Sequence, residues 1–519
     1  MSRIKKSSGT EQPILQTITD LLAESCVSHS QKTAFVELGE TERIISFAQF
    51  QRDVLSAAGK LQQLDARHIG VVCDSSYHCI VGLYAVMAAG KVLIPLDAQL
   101  TGAALSDLLR RFDTELVLGP QQSEDTPCPG LSWQALMDNP CQMLTQWPVW
   151  EPERPACIIC TSGTEGKARG VLLTQHNMAH TNSCNVVNSL NRPARQVVYL
   201  PLHHVFTLLI VTTSLREGNE IYLSQSVKYF VRDVERTRSD MLATVPMINE
   251  MYRNRILQGL RRTGQLVKVE RLIRLSNALR RLGIDLRTPL FRELREKAGC
   301  LPQLMFAGGA ASQPDTLRFF DDIGIIVLQG YGMTETSGSI ANNTLLNNRI
   351  GSVGKPKDYC KVRIRDGEIQ VQGGNVFREY YGDPTATEQA FDGEWFRTGD
   401  LGYLDEDGYL FITGRRKNLI ILASGEKVSP EELEQQLTAD PAVAEALVQE
   451  RQGKIHADVY AQLPAESSET LETLIQRCVE RVNQQNPLYK HISSWCLRDS
   501  PFEKNASLKI RRHYGQHDD

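Results

Sequence analysis

The sequence has no long hydrophobic segment and no excess of charge of one sign. Its longest notable apolar stretch, residues 205–215, spans eleven residues and includes three threonines, whereas a membrane-crossing helix needs about 20 apolar residues. Lysine and arginine total 57 against 61 aspartate and glutamate, so the formal net charge is −4. These absences argue against a membrane span and against nucleic acid as a partner, and they favour a small ligand.

The N-terminus also lacks the apolar core of a secretory signal, because Arg3, Lys5 and Lys6 are followed by polar residues. We therefore expect a cytoplasmic protein in which the twelve cysteines are mostly reduced. Cys157 and Cys160 form a Cys-x-x-Cys pair, but both lie in an apolar run and no second pair accompanies them. We expect core residues here, not metal ligands or redox thiols.

Length and patterning indicate more than one domain. A chain of 519 residues with 41% hydrophobic content is too long for a single core. Between residues 68 and 119 apolar strand-like runs alternate with helical patterns, which predicts a parallel sheet covered by helices. After residue 418 two helical and two strand patterns alternate in a separate small α+β unit, and no repeat or low-complexity segment is present.

One loop carries the first indication of chemistry. Residues 161–171 contain three glycines, three hydroxyl side chains and two cations. Glycine lets backbone N–H groups surround phosphate oxygens, while Lys167 and Arg169 supply counter-charge. The run 156–160 predicts a buried strand and residues 172–182 can begin a helix, which places the loop at a strand end. We interpret it as a phosphate loop without the Walker spacing, and a plain Gly/Ser/Thr turn is the alternative.

Six further blocks follow this loop in a fixed order. They are Pro201–Phe206, Gly308–Ala310, Tyr331–Thr336, Arg397–Asp400, Gly414–Lys417 and Ser507–Arg512. With the loop they resemble, over about residues 30 to 512, the acyl-adenylate-forming superfamily of acyl-CoA synthetases, luciferases and peptide-synthetase adenylation domains. The resemblance is strongest to long-chain-type acyl-CoA synthetases and acyl-AMP ligases.

This resemblance implies an α/β architecture in which a small domain rotates between two half-reactions. A disordered tail precedes a large domain of layered α/β subdomains with parallel sheets, and a hinge leads to a mobile α+β domain. The expected limits are residues 1–12 for the tail, 13–414 for the large domain, 415–417 for the hinge and 418–519 for the small domain.

The resemblance also implies an ATP site. Glu335 would hold Mg²⁺ and Thr334 would bond the α-phosphate, although a Thr-Glu pair can also cap a helix. Asp400 would accept hydrogen bonds from the ribose hydroxyls with Arg415 assisting, and Tyr331 would lie against adenine. The other implied nucleotide-binding residues are Thr161, Ser162, Gly163, Thr164, Gly166, Lys167, Gly308, Gly309, Ala310 and Gly332.

Residues implied in the chemical steps lie in widely separated parts of the chain. Lys509 would reach the α-phosphate and the carboxylate during adenylation, and Lys417 would be the hinge. His204 would position or gate the acyl group, and Gly425 would line the tunnel for the pantetheine thiol. Two blocks depart from the usual pattern, because Leu508 replaces a glycine and Ala168-Arg169 replaces Pro-Lys; Arg169 keeps the catalytic charge in a planar fork.

The substrate prediction depends on a missing acid. Amino-acid-activating relatives hold the α-ammonium with an aspartate shortly after the position of Phe206, but residues 207–213 contain no acid. An apolar, fatty carboxylic acid suits this segment better. The leading hypothesis is an AMP-forming acyl-CoA synthetase that uses ATP, Mg²⁺ and CoA. The alternatives are a ligase that loads an acyl carrier protein on its phosphopantetheine, and a non-catalytic nucleotide-binding relic.

An arginine-rich segment stays outside these motifs. Residues 253–281 carry many arginines in a helical pattern, and a solvated helical face is our first interpretation. Binding of CoA phosphates is the alternative.

Overall fold

A computed structural model describes most of the chain. The described residues are 15–120, 126–138, 143–161, 169–183, 193–422, 426–440, 442–462, 470–504, 510 and 512. The predicted disordered tail lies outside them. Across these ranges, no helix combines the length and the apolar content that crossing a bilayer requires.

The elements follow one another along the chain in three stretches. The first contains α1 (Ile18–Ser28), β1 (Thr33–Glu37), β2 (Arg43–Ser46), α2 (Phe47–Gln62), β3 (His68–Cys73), α3 (Tyr77–Ala88), β4 (Val92–Asp97), α4 (Gly102–Arg111), β5 (Leu116–Gly119), β6 (Gly130–Ser132), α5 (Trp133–Met137), β7 (Pro155–Thr161), β8 (Arg169–Thr174) and α6 (Gln175–Ser183). The second contains β9 (Arg195–Val198), α7 (Val205–Glu217), β10 (Glu220–Leu223), α8 (Phe230–Thr237), β11 (Met241–Thr244), α9 (Pro246–Arg262), α10 (Leu266–Arg281), α11 (Arg287–Leu290), α12 (Arg292–Lys297), β12 (Leu304–Ala307), α13 (Pro314–Asp322) and β13 (Ile326–Tyr331). The third contains β14 (Ala341–Asn342), β15 (Lys355–Pro356), β16 (Cys360–Arg365), β17 (Glu368–Gly373), β18 (Glu379–Tyr380), α14 (Pro384–Ala390), β19 (Phe391–Asp392), β20 (Trp395–Leu404), β21 (Leu410–Arg415), β22 (Ile420–Ile421), β23 (Lys427–Val428), α15 (Pro430–Thr438), β24 (Val443–Arg451), β25 (Lys454–Ala461), α16 (Leu471–Gln485) and β26 (Ile492–Arg498).

Two large sheets enclose the main core. One has the order β15-β14-β13-β12-β11-β9-β10-β1-β2 and the other β18-β8-β7-β4-β3-β5-β6. Their central strands are parallel. Helix α3 is apolar on all sides and almost entirely buried, and it packs with Phe35 and Ile221 of the first sheet and Ile69 and Leu93 of the second. A helix of this kind is stable only between two apolar layers.

A five-stranded antiparallel sheet follows, with the order β16-β17-β20-β19 and β21 paired to β20. The turn between β20 and β21 is stabilised by the Asp405 carboxylate, which accepts from the N–H groups of Asp407 and Tyr409. The residues 405–408, Asp-Glu-Asp-Gly, have the composition typical of such a turn.

The C-terminal part has a core of its own. Helices α15 and α16 pack on one face of the sheet β24-β25-β26 through apolar side chains such as Leu433, Val448, Val459 and Ile475. The sequence predicts α15, α16, β24 and β25 but not β26, which pairs in parallel with β25. The predicted fold class, a large α/β part with parallel sheets and a smaller α+β part, is confirmed.

Candidate nucleotide-binding site

The site is centred on the carboxylate of Asp400, which is 4% exposed. Strands β20 and β21 place Asp400 directly opposite Arg415, and the Arg415 Nε lies 2.8 Å from Oδ1. The Tyr331 hydroxyl, at the end of β13, donates to Oδ2 at 2.7 Å. Each carboxylate oxygen can accept more than one hydrogen bond, so this fixed anion can still bind the hydroxyl groups of a ligand.

The local backbone explains how Asp400 becomes buried. Gly399 has a φ of +71°, a left-handed conformation that glycine adopts without strain, and its N–H donates to Glu368 at 3.1 Å. The Thr398 hydroxyl donates to the Ile369 carbonyl at 2.8 Å. Thr398 and Asp400 therefore face the interior of the sheet, on the same side as Phe396.

Glu335 lies in a single 3₁₀ turn, Thr334–Thr336. A Cβ on Gly332 would come 2.3 Å from the Gly338 carbonyl oxygen, so only glycine allows the chain to fold back this tightly. Glu335 is 8% exposed, and burial raises the pKa of its carboxyl group. The Tyr380 hydroxyl donates to its Oε1 at 2.9 Å, which stabilises the charged form and opposes that rise.

This carboxylate suits a magnesium ion. Mg²⁺ in nucleotide sites is held by one or two protein carboxylates together with substrate phosphates. Glu335 retains oxygen lone pairs beyond the one that Tyr380 uses, and a neighbouring cation would offset the cost of keeping a buried carboxylate charged. Thr334, one residue earlier, is half-buried. The contact of Thr334 with the α-phosphate stays a prediction.

The predicted phosphate loop joins two antiparallel strands. β7 ends at Thr161 and β8 begins at Arg169, and the Thr161 hydroxyl lies 3.4 Å from the Arg169 carbonyl oxygen. The guanidinium of Arg169 lies over the Tyr380 ring, 5.4 Å from its centroid. The hydroxyl of Tyr380 in turn donates to Glu335. The intervening predicted residues Ser162, Gly163, Thr164, Gly166 and Lys167 lie outside the described residues.

The prediction of a helix from Leu172 is wrong in its first turn. Residues up to Thr174 form β8, which lies between β7 and β18 and is buried. The helix α6 begins only after Thr174 because Thr174 and Asn177 cap it reciprocally. The Asn177 N–H donates to Thr174 Oγ1 at 3.1 Å, and the Thr174 N–H donates to Asn177 Oδ1 at 2.9 Å.

The first turn of α7 packs against the glycines of the site. A Cβ on Gly308 would come 2.9 Å from the Phe206 ring, so a larger residue would push this ring away. Gly309 has a φ of +81°, and Ala310 is exposed. His204 occupies the N-cap position of α7, and its ring centroid lies 4.1 Å from that of His203.

Two residues of the predicted hinge, Arg416 and Lys417, lie in a second 3₁₀ turn, Arg416–Asn418, and the third, Arg415, ends β21. Arg416 pairs with Glu368 at 2.7 Å. Burial and the nearby Arg415 charge lower the pKa of Lys417. Gly425, predicted to line the thiol tunnel, lies outside the described residues.

The chain that carries Lys509 is attached on both sides of the undescribed stretch 505–509. A bridge joins Lys504 and Ile510, and the Lys504 ammonium lies 2.6 Å from Glu445 on β24. Arg512 donates to the Glu434 carboxylate of α15 and to the Val448 carbonyl. Lys509 itself is outside the described residues, so its predicted role is not tested.

Sequence reasoning missed two residues that organise the site. Tyr380 links Arg169 to Glu335. Glu368, 3% exposed, accepts from the N–H of Gly399 and from the guanidinium groups of Arg397 and Arg416. The Tyr-Tyr-Gly-Asp-Pro stretch that begins at Tyr380 indicates a turn. No sequence pattern, however, pairs Tyr380 or Glu368 with partners about 30 to 200 positions away.

One group of possible metal ligands lies away from this site. His456, Asp458 and Cys496 converge on strands β25 and β26, but Asp458 already accepts from Arg451 and Gln449. The Cys157 and Cys160 thiols are core groups as expected. Burial raises the pKa of each thiol to about 12, so both stay protonated.

Comparison with known proteins identifies the family of the chain. The profile of the AMP-binding enzyme family matches residues 22–381, and that of the AMP-binding enzyme C-terminal domain matches residues 417–515. The long-chain-fatty-acid–CoA ligase FadD15 of Mycobacterium tuberculosis is 32% identical over 327 residues, which are 60% of this chain and 54% of FadD15. The chain thus matches about half the length of that relative. A 2-succinylbenzoate–CoA ligase of Bacillus cereus is 29% identical over 523 residues, 96% of this chain and 98% of the relative.

Solved structures share the fold. The o-succinylbenzoate CoA synthetase of Bacillus subtilis with its acyl-adenylate intermediate has a TM-score of 0.74 and 22% identity, with 97% of each chain covered. The ATP-bound MatB of Rhodopseudomonas palustris has a TM-score of 0.75 and 22% identity, with 95% of this chain and 97% of MatB covered. With its motifs in order, its fold shared and its sequence matched over more than two thirds of its length, the chain belongs to the AMP-binding enzyme family.

Proposed function

We propose that the protein activates a carboxylic acid with ATP and transfers the acyl group to the thiol of CoA. In the first step a carboxylate oxygen attacks the α-phosphorus and pyrophosphate leaves, which gives an acyl-adenylate. In the second step the thiol attacks the acyl carbon, loses its proton, and AMP leaves. The observation that carries this proposal is the set Tyr331, Glu335, Asp400 and Arg415, which lie together in a chain of this family.

The contacts of Asp400 and Glu335 support the proposed roles. Asp400 is held by Tyr331 and Arg415, which leaves lone pairs for the two ribose hydroxyls. Glu335 would hold Mg²⁺, which neutralises phosphate charge as pyrophosphate departs. Arg169 and Lys509 would add positive charge near the α-phosphate.

The structure around α7 supports an acid with an apolar body. The helix contains no acid before Glu217, so it offers no partner to an α-ammonium. Because one relative is named for long-chain fatty acids and another for 2-succinylbenzoate, aromatic acids belong beside fatty acids among the candidates.

For the acceptor, we propose CoA. The relatives are named CoA ligases, and nothing favours the carrier-protein alternative in the same way. By resemblance, rotation at the Lys417 hinge would bring Gly425 to the tunnel through which the CoA thiol enters.

The decisive experiment is a screen of fatty and aromatic carboxylic acids for ATP-dependent AMP release. Each acid is tested alone, with CoA, and with a phosphopantetheinylated acyl carrier protein. The proposal expects AMP release and a thioester with CoA for at least one apolar acid, and a loss with Glu335→Gln. A thioester formed only on the carrier protein would show that the acceptor is the carrier protein and not CoA. A folded protein that binds ATP but releases no AMP with any acid would support the nucleotide-binding relic.

A further inference from the structure

Positive charge is concentrated in one segment of the chain. Residues 253–287 contain ten lysines and arginines and only two acids, Glu270 and Asp285, although the whole chain has a formal charge of −4. The rest of the protein therefore has a net negative charge. Such asymmetry indicates a surface that meets an anionic partner.

Helix α10 presents this charge on its outer face. Its inner face is fixed to the core, because Ser276 is 1% exposed and the Asn277 amide donates to Asp322 of α13 at 2.7 Å. Its outer face carries Val267 and Leu275, 57% and 56% exposed, interleaved at helical spacing with arginines. The exposed arginines of this face are Arg271, Arg274 and Arg281.

Exposed apolar side chains continue after the helix. Leu282 is 77% exposed, Ile284 49% and Leu286 41%. We call the surface formed by Val267, Arg271, Arg274, Leu275, Arg281, Leu282, Ile284 and Leu286 the basic apolar surface. Single exposed apolar residues are common, but five such large side chains within twenty residues indicate contact with another apolar phase.

The arginines of this surface are weakly neutralised. Arg274 lies 3.9 Å from Glu270 in an exposed pair, which contributes little. Across the part of the chain that the structure describes, Arg271 and Arg281 form no ion pair. By contrast, the exposed Arg280 and the buried Arg287 are both paired with Asp321 of α13. The structure therefore pairs the arginines that support the fold and leaves the outer ones available.

We propose that the basic apolar surface docks the protein on an anionic lipid bilayer, with α10 lying in the interface. Arginines would contact lipid phosphates, while Val267, Leu275, Leu282 and Ile284 would enter the boundary between headgroups and acyl chains. A nucleic acid would neutralise the arginines but leave the apolar side chains in water. Docking of this kind is independent of the catalytic steps proposed above, and it would bring the protein to the phase into which apolar acids partition.

The test is flotation of the full-length protein with vesicles of phosphatidylcholine containing about 30% phosphatidylglycerol. We expect binding that weakens strongly between 0.1 and 0.5 M NaCl, and at least tenfold weaker binding to vesicles of phosphatidylcholine alone, since each basic residue near such a surface contributes about a factor of five. Equal binding to both vesicle types, or none to either, would overturn the proposal.

Matched variants separate the two contributions. Arg271→Glu/Arg274→Glu should weaken binding at least tenfold, whereas Arg52→Glu/Arg110→Glu, with the same change in net charge on exposed residues elsewhere, should change it little. Leu282→Ser should also weaken binding, whereas Leu346→Ser, at a residue 74% exposed, should not. Equal effects of test and control variants would contradict the proposal. So would salt-sensitive binding to a DNA duplex that exceeds vesicle binding and is unaffected by Leu282→Ser.

Discussion

Among single residues, Asp400 carries the proposed contact with ribose through its charge. Its two oxygens are held by Arg415 and Tyr331, so it is oriented before any ligand arrives. An asparagine would keep the shape but place an N–H₂ group where a carboxylate oxygen accepts, facing either the Arg415 guanidinium or the Tyr331 hydroxyl.

We therefore expect Asp400→Asn to lower kcat/KM for ATP by about 10- to 100-fold, which corresponds to the loss of about 1.5–3 kcal/mol from a hydrogen bond to a charged group. Steady-state kinetics with varied ATP measures this loss. Asp405→Asn is the matched control, because Asp405 pairs with Arg349 in the following turn and lies outside the proposed site. Similar kinetics in both variants would argue against the role of Asp400.

Tyr380 controls the ionisation of Glu335. Burial raises the pKa of this carboxyl group, and the Tyr380 hydroxyl lowers it by donating to the charged form. Because the unfolded chain has the lower pKa, the free energy of unfolding falls as the pH rises from the unfolded to the folded pKa. We expect activity to run the other way, because only the carboxylate form of Glu335 would bind Mg²⁺, so activity should be lost as the pH falls through the folded pKa.

Tyr380→Phe should therefore raise the pKa of Glu335 further and move the acidic limb of the pH–rate profile to higher pH. The measurement is kcat/KM for ATP against pH at saturating Mg²⁺. Tyr381→Phe is the control, since the Tyr381 hydroxyl donates to Asp113 instead. An unmoved acidic limb in Tyr380→Phe would show that the hydrogen bond to Glu335 does not set this ionisation.

How far the site could be predicted from the sequence depends on the range of each contact. The blocks containing Tyr331, Asp400 and Arg415 could be identified as parts of one site, because their motifs are specific and ordered. Tyr380 and Glu368 could not, because each acts through a hydrogen bond to a distant segment. Hydrogen bonds between single side chains leave no periodic signal in the sequence.

Among the secondary-structure elements, periodicity predicted the alternating strands and helices of residues 68–119 and the two helices and two strands after residue 418. It failed where two patterns meet. Residues 171–173 are apolar in a way that suits either a buried strand or the start of a helix. The Thr174–Asn177 cap decides the boundary. Strand β26 was not predicted because buried and exposed residues do not alternate along it. Ile492 is buried, and the residues after it are exposed or half-buried.

The attachment of the segment around Lys509 gives a prediction of its own. Arg512 attaches the chain after Lys509 to Glu434 of α15. Arg512→Ala should loosen this attachment and lower the rate of adenylation by about tenfold, the effect of misplacing a charge that acts in one step. Transfer to CoA from supplied acyl-adenylate should change little.

Parallel assays of the two half-reactions test this expectation. Lys490→Ala is the matched control, because it removes a comparable ion pair to Glu432 on the same helix without touching the segment of Lys509. Equal losses in both half-reactions, or an equal effect of the control, would show a general destabilisation of the C-terminal part.

For the protein as a whole, the two proposed half-reactions require the C-terminal part to take two positions. Lys417 lies in a 3₁₀ turn, whose backbone angles suit proline. Lys417→Pro should therefore leave adenylation close to wild type while it slows transfer to CoA at least tenfold, because a fixed φ hinders the rotation. Pyrophosphate exchange and acyl transfer from pre-formed adenylate measure the two steps separately. Lys417→Ala, which keeps the backbone free, should retain both, and loss of both steps in the proline variant would defeat the two-position account.

The central claim is that this site forms an acyl-adenylate, and the most direct measurement is carboxylate-dependent exchange of labelled pyrophosphate into ATP. The account predicts exchange that requires Mg²⁺ and an apolar acid, an acyl-AMP detectable by mass spectrometry, and disappearance of that acyl-AMP when CoA is added. A folded protein that binds ATP yet shows no exchange with any acid, or that releases phosphate and ADP instead, would contradict it.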